Sequence, residues 1–331
     1  MKTYVQFINE KLGVSSELLN VFNAIKKELN DFDFKVGKKK KSIYIRINET
    51  LTDYYITNYD PVDLEGDDFS EDSFSLVDMR KSVKRKIIKD KTILNFSKKL
   101  KDRIADIEYF YVSIQYNKKQ NNNVGAMHWE DHEVSVILPY KGENKNDLTK
   151  DDIKQTYSIL YHELIHLYDV YNFPKEATQK HRNKLHKRHD EIGSFGPQVE
   201  AEIHYFSNPR EITAFSKQSL IDMEEWFDEA MKRGISTNSK IYFWKLKNTL
   251  GYSAYLRLID AINKLKNILK NKEETIKTYT DAYYKRNDKS YNNAKMHLEI
   301  LLKKAEKAKK LYEKEFAKIW SYYNSKDTNN D

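Results

Sequence analysis

The stretch TYSILYHELIHLYDVYN, residues 156–172, constrains the fold more than any other part of the chain. Ile153, Tyr157, Leu160, Leu164 and Leu167 recur at three- and four-residue steps, which predicts a helix with one apolar face. Thr149 and Asp152, a capping-box-like pair, place its start. His162 and His166 are four apart, and residues at that spacing sit one above the other on a helix. Two imidazoles therefore aim at one point. Neutral imidazole nitrogen is a zinc ligand, and a catalytic zinc keeps three protein ligands and a water. Glu163 is placed to take a proton from that water and pass it to a leaving amine. The competing reading is two histidines on an ordinary helix, beside Tyr161 and Tyr168.

Composition narrows the classes. With 331 residues the chain can bury a core of one large domain or two to three smaller ones. There is no cysteine, so disulfides, thiolate zinc sites and thiol nucleophiles are excluded. The net charge of +8 arises from 58 basic and 50 acidic residues that are interspersed, which reads as a solvated, lysine-rich surface. A nucleic-acid binder is the lower-ranked reading, resting on residues 38–41 and 81–91 without any recognised motif. The opening MKTYVQFINEKLG has no apolar signal region, and no run reaches membrane-span length. A cytoplasmic protein is expected, with virion association or delivery to a host left open. Abundant Tyr, Lys, Asn and Ile fit the coding bias of phages and low-GC bacteria.

Along the chain, residues 15–30 predict a helix and 43–47 a strand, with the lysines before it forming a turn. Residues 51–75 read as an acidic loop, and 82–106, including Ile87 and Ile88, as a helix. Strands are expected at 107–116 and 133–140, with NKKQNNNVG between them as a turn or loop. Pro139 marks 133–140 as an edge strand. Residues 174–200 read as a charged loop. Asn208-Pro209 opens a helix that stops near Gly234, since Asn caps, Pro suits the first position and Gly ends. From about 238 the chain is helical. Ala294, Leu298, Leu301, Ala305, Ala308, Tyr312 and Ile319 form a coiled-coil-like seam, expected to pack on Leu258, Ile262, Leu265 and Leu269.

The order helix, strand, edge strand, His-Glu-x-x-His helix and later helix with an acidic residue resembles the zincin metallopeptidases over residues 90–235. That resemblance implies an α+β fold: a small sheet whose edge strand packs on the motif helix, followed by a long α-helical hairpin. The domains expected are 1–90, an α/β segment; 91–235, a zincin-like catalytic domain; and 236–331, a helical region.

The third ligand sorts the zincins. Metzincins place a further His after the motif, but Asp169 and Asn172 stand at the corresponding positions. Gluzincins take a Glu from a later helix, and the match is Glu211 in SNPREITAF, with small Ala214 three residues on. This resembles gluzincin-type and phage-encoded peptidases. The long separation between His166 and Glu211 resembles the lethal-factor and Pro-Pro-endopeptidase group. Glu211 is also suited to capping its helix. Glu200, Glu202 and His204 are alternative ligands, whereas His181, His186 and His189 sit among cations and read as solvated surface. Asp169, on the same face as His166, can hold the outer ring nitrogen of a ligand histidine; a surface Asp, disfavoured by the helix dipole, is the alternative. The resemblance also implies an oxyanion donor near the third ligand, for which His204 and Tyr205 are the choices.

The function expected is zinc-dependent peptide-bond hydrolysis with one zinc per chain, Glu163 as general base, and a peptide or protein substrate laid along the edge strand. The alternative is a non-catalytic structural or binding protein, such as a virion component, working and oligomerising through its C-terminal helices. Those helices could equally pack within one chain.

Overall fold

The structure is a computed structural model. It describes residues 15–30, 42–47, 52–57, 87–88, 90–103, 110–117, 124–128, 133–139, 150–172, 198–235, 237–270 and 291–327. The chain forms two compact units, residues 1–179 and 180–331.

In the first unit helix α1 (Ser16–Asn30) precedes strands β1 (Ser42–Ile47), β2 (Thr52–Thr57) and β3 (Ile87–Ile88). Helix α2 (Lys91–Arg103), strands β4 (Phe110–Asn117), β5 (Val124–His128) and β6 (Glu133–Pro139), and helix α3 (Lys150–Asn172) follow. The strand order is β3-β2-β1-β4-β6-β5. All neighbours are antiparallel except β4 and β6, which run parallel with Val112 opposite Val134. Helix α3 packs over β5 and β6.

Helix α1 starts at Ser15, whose Oγ accepts from Glu17 N at 3.2 Å and from the Tyr168 hydroxyl at 2.6 Å. Asp90 caps α2 by accepting from Thr92 N at 2.8 Å. Leu18, Val21, Phe22 and Ile25 of α1 are buried, and α1 packs on α2 and α3. The Phe22 and Tyr161 rings meet edge to face, and Phe96 stacks on Tyr168. Residues 156–165 of α3 are buried all round, not along one face as the apolar spacing suggests.

The second unit contains α4 (Gln198–Phe206), α5 (Pro209–Lys232), α6 (Ser239–Lys247), α7 (Leu250–Lys270) and α8 (Tyr291–Asp327). The Asn208 side chain caps α5, accepting from Arg210 N, with Pro209 in the first turn as expected. Gly234, at φ 64°, follows the end of α5, and Ile235 N donates to Ala230 O at 2.9 Å. Helix α8 buries Leu298, Leu301, Ala305, Ala308, Tyr312, Phe316, Ile319 and Tyr323. It packs on α4, α5 and α6 as well as α7. Ala294 lies where no side chain is described.

The α+β zincin-like core is therefore not supported. The described residues are mostly helical, and the sheet that is present does not have the expected edge. Residues 133–139 are flanked by β4 on one side and β5 on the other. Pro139 does not force an edge position, because it is the last residue of β6 and closes the register opposite Asn117. Among the described strands the edge on that side is β5, whose first two residues fall in the expected turn or loop. The simple helical hairpin gives way to a unit with five described helices, because α8 has apolar residues enough to cover several neighbours.

Three smaller readings are corrected. Residues 52–57, expected in a loop, form β2 against β1 with Tyr54 opposite Ile45. Ile87 and Ile88, expected in a helix, pair with Asp53 and Thr52. Helix α4 begins at Gln198, inside the expected 174–200 loop. The lysine turn before β1, Thr149 and residues 181–189 lie outside the described residues.

Candidate metal centre

Helix α3 places His162 and His166 on successive turns, with their Nε2 atoms 3.2 Å apart and their rings nearly perpendicular at 79°. Two nitrogens bound to one zinc at about 2.0–2.1 Å and tetrahedral angles lie about 3.4 Å apart. The pair thus has the spacing of two ligands sharing a small cation, and a neutral imidazole pair can also share one proton at this distance. His162 is 3% exposed and Glu163 7%.

The Glu163 carboxylate lies against strand β5. A Cβ built on Gly125 would sit 2.5 Å from Glu163 Oε1 and 2.5 Å from Ile159 Cγ2. This contact brings the edge strand to the carboxylate, and sequence reasoning missed it. The available signal was a lone Gly inside a short strand, which marks a close approach.

Glu211 lies in the first turn of α5, half-buried. The end of that helix is already served by Asn208, so capping is not a role Glu211 has to fill. His162 and His166 belong to the first unit and Glu211 to the second. Two imidazoles and a carboxylate are a donor set that suits zinc.

The remaining expected residues are placed differently. Asp169 belongs to α3, but its side chain lies outside the described residues. His204, on α4, has Nε2 3.6 Å from Glu200 Oε1 and Nδ1 3.5 Å from Lys304 Nζ. Tyr205 is 48% exposed, its ring against Phe206 and Phe215. Glu202 is half-buried on α4.

Glu200 itself is buried and lies 2.6 Å from His297 Nε2. Burial alone would raise its carboxyl, but the hydrogen bonds to His204 and His297 outweigh this and hold it down at about 2. Glu200 is thus committed to a carboxylate–histidine cluster. Tyr312 of α8 is buried with its hydroxyl lacking a hydrogen-bond partner among the described residues. Burial first, and then the charge of Glu211, push that phenol up.

No known protein family, curated protein or solved structure matches the chain. No described helix is long and apolar enough to cross a membrane.

Proposed function

We infer that the chain is a zinc-dependent hydrolase of peptide bonds. The observation that carries this reading is the 3.2 Å approach of the His162 and His166 ring nitrogens on a helix that also carries the buried Glu163. His162 and His166 are the metal ligands of this reading, and Glu211 is the third ligand that the sequence motif suggests. Zinc, when bound, supplies a Lewis acid and acidifies water to near neutral pH. Glu163 takes the proton of the attacking water and delivers it to the departing amine.

Peptide is the favoured substrate because the edge strand β5 reaches the Glu163 carboxylate at Gly125. An extended peptide added to a strand edge gains main-chain hydrogen bonds without side-chain requirements.

The test is metal analysis of wild type, His162→Ala and Glu211→Ala, followed by Glu163→Gln on a mixed peptide library. One zinc per wild-type chain, lost in both variants, is expected, as is a fall in hydrolysis of about 10²–10⁴-fold for Glu163→Gln. A wild type that takes up no zinc, or a Glu163→Gln protein of full activity, overturns the reading. Retention of zinc by Glu211→Ala would transfer the third ligand to another residue.

A further inference from the structure

We propose that Gly125 is a positioning residue for Glu163: the absence of a side chain at 125 lets the carboxylate lie where it can act as base. This rests on the function proposed above. Glycine is not required here by backbone conformation, because among the described glycines only Gly234 has a positive φ. It is required by space. A Cβ at 125 would meet Glu163 Oε1 at 2.5 Å, Ile159 Cγ2 at 2.5 Å and Glu163 Cγ at 2.9 Å. All three are inside van der Waals contact, so something must move. Ile159 is buried on α3, one helical turn before Glu163, and β-branched, so its rotamer resists displacement. The Glu163 carboxylate is the far end of an unbranched chain and yields first. A side chain at 125 therefore expels the base from its place, while the imidazoles are not among its three nearest contacts and stay free to bind metal.

The strand position matters as much as the residue. Gly125 pairs with Val136 of β6 in the interior of a five-residue strand, so the backbone at 125 is held by the ladder. The strand cannot simply swing away from α3 to make room.

The experiment uses the full chain, with a mixed-sequence fluorogenic peptide library as probe. Gly125→Ala is expected to keep one zinc and an unchanged KM while kcat falls by about tenfold or more. In the same background Glu163→Asp, with a shorter side chain, should cost less than it does in wild type. A readout independent of hydrolysis comes from thermal unfolding of the metal-free protein. Gly125→Ala should lower Tm by several degrees in wild type, and by much less once Ile159→Ala and Glu163→Ala have removed the atoms it meets. Full kcat in Gly125→Ala, or an equal Tm loss in both backgrounds, overturns the inference and leaves the proposed function standing. If wild type cleaves nothing in the library, the proposed function fails instead. The unfolding comparison then decides by itself whether Gly125 fixes the Glu163 side chain.

Discussion

Glu200 Oε1 on α4 lies 2.6 Å from His297 Nε2 on α8, across 97 positions of sequence. His204 Nε2 approaches the same oxygen at 3.6 Å. A buried carboxylate thus links two helices of the second unit through imidazole groups.

The pH dependence of this link has a definite sign. The Glu200 carboxyl is held at about 2 in the folded chain against an ordinary value of 4.5. A depressed folded value adds stability that is fully present above the unfolded value and is lost as pH falls through the folded one. Glu200→Gln should therefore cost about 1–3 kcal/mol at pH 5–6. The difference from wild type should shrink between pH 4.5 and about 2. Urea unfolding at a series of pH values measures it, and a pH-independent difference would refute the ionic account.

Tyr161 predicts an asymmetry. Its ring is fully buried against Phe22, while its hydroxyl has no hydrogen-bond partner among the described residues. Tyr161→Phe should leave stability unchanged or raise it by about 1 kcal/mol, since an unsatisfied polar group is removed. Tyr161→Ala should cost about 3–5 kcal/mol through the lost ring and its cavity. Comparing unfolding midpoints of both variants checks this, and a large loss in Tyr161→Phe would reveal a partner for the hydroxyl.

Gly251 is predicted to be intolerant of any side chain. A Cβ there would collide with the Phe215 carbonyl oxygen and with Ser219 Oγ, where α7 crosses α5. Ser219 Oγ is in turn 2.8 Å from Thr249 Oγ1, so it has little room to retreat. Because backbone must move, Gly251→Ala should cost about 2–3 kcal/mol. Ser219→Gly should recover only part of that loss, since the carbonyl remains. Circular dichroism melts of the single and double variants read both values.

Metal binding should appear as stability. If zinc binds the folded chain and not the unfolded one, a free concentration 1,000 times Kd adds about 4 kcal/mol. Titrating zinc into chelator-treated wild type should raise Tm progressively, and His162→Ala should abolish the rise. A Tm that does not respond in wild type counts against the site. An equal response in His162→Ala places binding elsewhere.

How much could be read without coordinates differs from element to element. The start and stop of α5 are local: the Asn208 cap, Pro209 and left-handed Gly234 act within a few residues. The 3.2 Å histidine pair follows from the four-residue step on a helix. The burial of Leu298, Leu301, Ala305, Ala308 and Ile319 follows from their seam spacing. Periodicity of that kind is a property of contiguous residues, so it survives in sequence alone.

Tertiary structure decided what depends on distant partners. Ile87 and Ile88 look helical in their own neighbourhood, yet β2 supplies hydrogen bonds that make them a strand. Residues 133–139 look like an edge until β5 pairs outside them. Gly125 looks like a turn residue until α3 lays Glu163 against it. Sequence by itself determined the helix that presents His162, Glu163 and His166, because helical geometry is set by local backbone bonds. Which strand meets that helix, and which residue leaves room for the carboxylate, was decided by long-range pairing and packing. Those free energies belong to pairs of segments, and neither segment carries them alone.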